Sequence, residues 1–459
     1  MMHLKTALLL SLLMPTLLNA QGVRINGVST ARYIEVRPYN LETDTPSVRA
    51  PLGLVPLTQD LHLNAWGLGQ GIRLYAHVRA RASVGDAQGL WPQADDAFDA
   101  LSAYLEVDRR FGRARFGRQW TSSHLGFYNF DGGALLVRPW SWLTAEIYGG
   151  WALAPGLNEF ITSDALAAVE PFAPDRRSNL IGAQIRLRDG QRITIGGEYQ
   201  REIRTDRAGL YGERAAADAT LQLLGAQLEG SLETDLSKLA LNEGRLRLTL
   251  PSWAGLRPSL EARRYQPYFQ LWTIWGAFAP VGFDEANAVL GWSTPAQDVS
   301  ITLRGGWRSY HDDGTTEEVF GGLRDDGWRA GLNAWWRATP TVSAWGNYQA
   351  DINFGAARSA GDVGVRVELG RGGYVSASAI AFQTAHELQV RDGTVFGLST
   401  DAGLRLTADA QLSWNLAVYR HLKTRGFDAV DWNQLRATMQ LDWSIGSDPG
   451  RKAQARRTS

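Results

Sequence analysis

Residues 71–81 read Gly-Ile-Arg-Leu-Tyr-Ala-His-Val-Arg-Ala-Arg. In an extended chain Ile72, Leu74, Ala76, Val78 and Ala80 share one face, while Arg73, Tyr75, His77, Arg79 and Arg81 share the other, because successive strand side chains point to opposite sides. A helix, with its period of about 3.6 residues, would mix the two sets. The same split returns in Leu101–Asp108, Ile181–Arg188, Ile193–Gln200, Arg245–Leu250, Ile301–Tyr310, Val363–Leu369, Leu412–Tyr419 and Leu435–Trp443. Each segment has one apolar and one polar face, and the polar face carries Arg, Glu or Asp on most of them. A soluble sandwich or propeller buries both faces of its inner strands and would have to pair every such charge in a dry core. In a wide barrel the charged face meets water and the apolar face meets lipid.

The connections alternate in length. Short ones include Phe111-Gly112-Arg113, Pro139–Ser141, Asp189-Gly190-Gln191, Ala338-Thr339-Pro340, Arg371-Gly372-Gly373 and Thr407-Ala408-Asp409; long ones include Val84–Phe98, Leu153–Arg176, Tyr268–Gly282, Tyr310–Asp325 and Leu422–Ala429. Short periplasmic turns and long extracellular loops define an all-β, antiparallel, up-and-down transmembrane barrel, and counting segments predicts about 22 strands, within a range of roughly 18–24. Trp140, Trp142, Trp253, Trp292, Trp335 and Trp336 cluster near the short turns, where an indole ring places its apolar body in lipid and its donor in water.

The ends and the composition fit this reading. Lys5, the apolar run Thr6–Leu18 and Asn19-Ala20-Gln21 have the form of a secretory signal over residues 1–20. The barrel is expected over 21–445, followed by a basic periplasmic tail over 446–459 with Arg451, Lys452, Arg456 and Arg457. Strands that begin near Val23 leave no room for a plug domain ahead of the barrel. The chain contains no cysteine, which removes thiol catalysis, thiolate metal sites and lipid attachment behind the signal. Lys and Arg total 47 against 47 Asp and Glu, so no global field draws nucleic acid. A mean hydropathy of -0.23 does not separate a soluble protein from a barrel with a polar lumen.

One hairpin carries a family likeness. Gly117-Arg118-Gln119 and Phe130-Asp131-Gly132 resemble a strand pair of Gram-negative outer-membrane porins and alginate-export-type barrels. The resemblance implies a channel across the outer membrane, with Arg118, Gln119 and Asp131 fixing the geometry of the loop and pore mouth. Arg118 breaks the local alternation, sharing a side with Phe116 and Trp120; a bulge or a rim position would resolve this.

Alternation assigns Arg73, Arg79, Arg81, Glu106, Asp108, Arg186, Arg188, Arg247, Arg263, Arg304, Arg308, Arg366 and Glu368 to the lumen, where fixed charges select ions and orient polar solutes. About 22 strands enclose more space than wall side chains fill, so an element that narrows or fills the lumen is expected, and Leu153–Arg176 reads either as that internal element, with a short helix within Asn158–Phe172, or as a plain exposed loop. The apolar stretch Tyr268–Gly282, with Leu271, Trp272, Ile274, Trp275 and Phe278, reads equally as a binding surface or inserted segment and as strand extended beyond the bilayer with paired aromatics. The seven histidines are scattered with no Ser-centred motif beside them, so no catalytic residue is assigned. Asp95-Asp96, Asp312-Asp313 and Asp325-Asp326 read as solvated loop charge, so neither metal nor cofactor is expected. Two functions fit: a porin-like channel for passive diffusion of small polar solutes, surrounded by outer-membrane lipid, or a barrel that sheaths or docks a partner such as a secreted polymer, an assembly factor or a multihaem electron carrier. Nucleic acid is not an expected partner.

Overall fold

The structure is a computed structural model describing residues 20–36, 39–40, 45–46, 52–84, 97–153, 178–190, 192–204, 210–266, 281–311, 325–353, 357–385, 393–423 and 431–446. The proposed signal and tail, the stretch 154–177, the apolar residues Leu271–Phe278, and the pairs Asp95-Asp96 and Asp312-Asp313 lie outside them.

The segments that alternate are strands of one closed 22-stranded antiparallel sheet. In chain order they are β1 (Gly22–Val36), β2 (Leu52–Trp66), β3 (Ile72–Val84), β4 (Phe98–Arg109), β5 (Gly112–Ser123), β6 (Gly126–Trp140), β7 (Leu143–Ala152), β8 (Ser178–Asp189), β9 (Ile193–Arg204), β10 (Leu210–Leu223) and β11 (Ala226–Asp235). The second half continues with β12 (Ala240–Thr249), β13 (Leu256–Tyr265), β14 (Gly282–Ser293), β15 (Val299–His311), β16 (Asp326–Arg337), β17 (Val342–Ile352), β18 (Ala357–Leu369), β19 (Gly373–Ala385), β20 (Gly393–Thr407), β21 (Ala410–Lys423) and β22 (Trp432–Gly446). Closure comes from β1, which pairs with β2 from Gly22↔Trp66 to Val36↔Leu52 and with β22 from Arg24↔Gly446 to Ile34↔Arg436. A closed ladder leaves no edge unpaired, the condition for strands to cross lipid.

The outward face is apolar. Phe116, Ile147, Val363, Leu398 and Ile445 each expose more than half of their surface, arranged as the lipid-facing band of a transmembrane barrel. Near the short turns Trp140 and Trp142 stack with ring centroids 5.2 Å apart, and Trp253, Trp292 and Trp336 are exposed there. Trp335 departs from the expected belt: its neighbours Ala334 and Trp336 take the outward face, so its ring turns inward, 5.1 Å below the Arg337 guanidinium.

Two further departures shape the site. The long-connection end is not uniformly long: β5 and β6 are joined by His124-Leu125 alone, and β11 and β12 by 236–239. In β4, a register shift opposite His77/Val78 leaves Leu101 as an extra residue. The bulge changes the phase of alternation, so Asp99 points inward alongside Ser102, Tyr104 and Glu106.

Candidate functional site, a hairpin folded into a charged lumen

The face opposite the exposed Leu, Val and Trp side chains is the lumen wall, and cross-strand register decides which charges meet there. Arg79 holds Asp60 through two bonds of 2.7 and 3.1 Å, with His77 3.4 Å from the same carboxylate. Arg81 lies 3.7 Å from Asp99, Arg113 lies 3.8 Å from Glu106, and Arg138 reaches Asp108 at 3.4 Å. Arg115 meets Glu146 at 2.7 Å and Arg263 meets Glu243 at 2.8 Å. Arg245 and Arg247 share Glu261 at 2.7 and 2.6 Å, and Arg308 and Arg329 share Glu285 at 2.9 and 2.8 Å. Arg366 pairs with Glu368 at 2.6 Å, and Arg73 donates to the Tyr75 hydroxyl at 3.4 Å. Arg186 lies 3.7 Å from Asp218. Arg188 and Arg304 stand on the same inward face, and Arg304 forms no ion pair among the described residues.

In many of these pairs the carboxylate lies deeper than the arginine. The Glu285 side chain is 1 % exposed and Glu261 14 %, whereas Arg247 above it is 40 % exposed. Short carboxylates lie against the backbone, and the long arginines that cover them reach into the water. The water-facing surface of the lumen is therefore richer in guanidinium than the balanced charge count suggests.

The lumen is narrowed by the hairpin of β5 and β6. The β4–β5 ladder ends at Ala103↔Arg118, and the β6–β7 ladder ends at Phe130↔Ala152 with one further bond, Leu153 N–H to the Asn129 carbonyl, at 2.8 Å. Beyond these points Gln119–Tyr128 leaves both neighbours while its own strands stay paired, Ser123↔Gly126 closing the tip. Glycines permit the departure. Gly117 has φ +126°, a region closed to ordinary side chains, and a Cβ there would lie 2.2 Å from the Ala103 carbonyl oxygen. Gly132, paired with Gly117, would place a Cβ 2.0 Å from the Gly149 oxygen.

The tip crosses β7 and docks halfway down the inner face of β8, β9 and β10. The His124 N–H donates to Glu198 Oε2 at 2.9 Å, and His124 Nε2 lies 3.5 Å from Asp218. Gln184 donates to the Thr121 hydroxyl at 3.4 Å. Arg214 donates to the Leu125 carbonyl and to the Tyr128 hydroxyl, and is itself held by Glu233 at 2.7 Å. Beneath the bend Tyr128, Phe130, Ala134, Tyr148, Ala152 and Leu180 form one buried apolar cluster, and Leu125 is 2 % exposed. Burial of a leucine contributes roughly 1.5–3 kcal/mol, so the seat is apolar packing directed by polar contacts at its rim.

Arg118 explains its break in the alternation. It stays in register with Asp131 and makes a bidentate pair with it at 2.8 and 2.9 Å. Its third arm donates to the Ala100 carbonyl at 3.0 Å, on the edge of β4 that the departing hairpin uncovers. Gln119 is buried beside it, donating to the Gly132 carbonyl at 3.1 Å, while its own Oε1 has no partner among the described residues. Thus the motif residues gather at the root of the bend. Arg214, Glu198, Asp218 and Glu233, which receive the tip, come from strands whose contact with it is decided by three-dimensional docking. Glu198 and Glu233 sit on polar faces that alternation alone marks. Arg214 lies in an alanine-rich stretch with little contrast between faces.

No family model matches this chain, and no curated protein does. Among solved structures it is similar to a BenF-like porin from Pseudomonas fluorescens, at 11 % identity and TM-score 0.45 over 93 % of this chain and 100 % of the other. Acinetobacter baumannii OccAB1 aligns at 10 % identity and TM-score 0.41 over 94 % and 99 %, and the translocation pore of the P pilus usher PapC at 9 % and 0.45 over 92 % and 99 %.

Proposed function

We propose that this protein is a channel of the cell outer membrane, exported by its signal peptide, through which small polar solutes diffuse passively. The supporting observation is a charged, water-facing lumen inside an apolar wall, narrowed partway down by the docked β5–β6 hairpin. The inward residues from Arg73 to Glu368 act in this reading as the pore lining, and the root of the hairpin formed by Arg118, Gln119 and Asp131 sets the position of the constriction. Because guanidinium groups overlie the carboxylates, the channel favours anions over cations of equal size.

Purified protein in a planar bilayer gives the test. Steady unit conductance, with a reversal potential shifted towards that of the anion in a salt gradient, is the expected result. A protein that stays electrically silent and co-purifies with another chain would favour a barrel that sheaths a partner.

A further inference from the structure

The outward face is not equally apolar at its two ends. Outward tryptophans stand at both ends, Trp140, Trp142, Trp292 and Trp336 towards the short turns and Trp151 and Trp328 towards the long connections, but at the short-turn end the outward Arg109 folds back onto the Asp108 carbonyl at 3.3 Å. Towards the long connections the outward face carries Arg201, Arg264 and Arg420, spread over β9, β13 and β21 and thus around much of the circumference. Their side chains are 46, 59 and 66 % exposed. Among the described residues each has one carboxylate nearby, Glu213, Asp284 and Asp431, and in all three cases the approach is 3.9 Å. That is beyond hydrogen-bonding distance, in contrast with the 2.6–2.9 Å pairs of Arg247 and Arg308 inside the lumen. The outer guanidiniums are substantially exposed, and Arg201 and Arg420 stand opposite the lipid-facing Ile181 and Phe396. Three such groups on the outward face towards the long connections match a leaflet whose headgroups present phosphate, the acceptor that suits a planar guanidinium fork.

We propose that Arg201, Arg264 and Arg420 form a rim that seats the phosphates of lipid A, the anionic glycolipid of the outer leaflet. This rests on the outer-membrane reading above. The loose carboxylates beside them hold each guanidinium in place without using its outward donors. The short-turn end, where Arg109 folds back on the wall, faces the phospholipid leaflet, so the two rims orient the barrel and anchor it at unlike surfaces.

The test is the heat-unfolding midpoint of the full chain in a neutral detergent, titrated with lipid A, with dephosphorylated lipid A, with phosphatidylglycerol and with inorganic phosphate. Lipid A should raise the midpoint, and the other three should do so weakly or not at all. In the variant R201Q/R264Q/R420Q the half-saturating concentration of lipid A should rise about tenfold or more, the equivalent of about 1.4 kcal/mol. The triple lysine variant should retain part of the response. Unit conductance should be unchanged in both, since these residues face away from the pore, so failure of the channel reading and failure of the rim are seen separately. If the triple variant does not fold, the three single Arg→Gln variants carry the test, each weakening the response. Equal stabilisation by dephosphorylated lipid A or by inorganic phosphate, or an undiminished response in the glutamine variants, would overturn the proposal.

Discussion

Gly117 concentrates in one residue what the hairpin requires. At φ +126° any side chain is strained, and its Cβ would meet the Ala103 carbonyl oxygen. Gly117→Ala is therefore expected to cost on the order of 1–3 kcal/mol from backbone strain alone, seen as a lower urea midpoint of the folded barrel. Gly305 is the matched control: nothing among the described residues lies within 4 Å of its Cβ position, so Gly305→Ala should move that midpoint little. Glu285 poses a different problem. It neutralises both Arg308 and Arg329 while almost wholly buried, and Glu285→Gln leaves two guanidiniums facing one neutral amide. Breaking a fully buried ion pair costs about 3–5 kcal/mol. Arg329 keeps a quarter of its side chain in lumen water, so a loss of about 2 kcal/mol is expected in the same unfolding measurement, with Asp351, 3.8 Å from Arg308, as the remaining anion.

At the scale of the element, the β5–β6 hairpin is a strand pair whose lower half belongs to the wall and whose upper half belongs to the lumen. The division falls where ladder bonds to β4 and β7 stop and contacts to β9 and β10 begin. Arg214 is the main polar fastening, bonded to the Leu125 carbonyl and the Tyr128 hydroxyl on the tip and to Glu233 on the wall. Arg214→Ala removes the donor while leaving the wall ladder intact. It should raise unit conductance and add rapid flicker as the tip loosens, with the closed-barrel gel mobility unchanged. Removing the tip outright, by replacing residues 122–127 with a two-residue turn, should raise conductance by about a factor of two or more, since wall side chains alone do not fill so wide a barrel. A conductance equal to the parent's in both variants would show that the hairpin does not set the constriction.

Across the whole molecule, balanced formal charge and an unbalanced lumen surface coexist, because the exposed partner of most pairs is the arginine. The anion preference should therefore weaken as salt rises and the screening length falls from about 10 Å at 0.1 M to about 3 Å at 1 M. Replacing Arg245 and Arg247 by Gln leaves Glu261 unneutralised in the lumen, and should shift the reversal potential towards the cation. A selectivity independent of both salt and these substitutions would mean that guanidinium exposure does not govern passage.

Much of the architecture was already legible in the chain, and the reason is local. A strand's faces alternate with period two, and water inside and lipid outside impose opposite demands on them, so segments such as Ile72–Arg81 and Val363–Leu369 declare strand, face and barrel together. The inward direction of Arg79, Arg247 and Arg308 follows from the same rule. The rule fails where phase or partner depends on distant strands. Leu101 shifts the phase of β4, Trp335 turns inward with its strand, and Arg118 takes an outward position because it caps the edge a neighbour has left. Which carboxylate meets which arginine depends on register between strands, and the seat of the hairpin on Glu198, Asp218 and Arg214 depends on closure of the whole ring. By itself the sequence determined a wall with a wet side and a lipid side; only the tertiary structure decided what narrows the lumen, because that contact joins residues up to 89 positions apart that no local pattern relates.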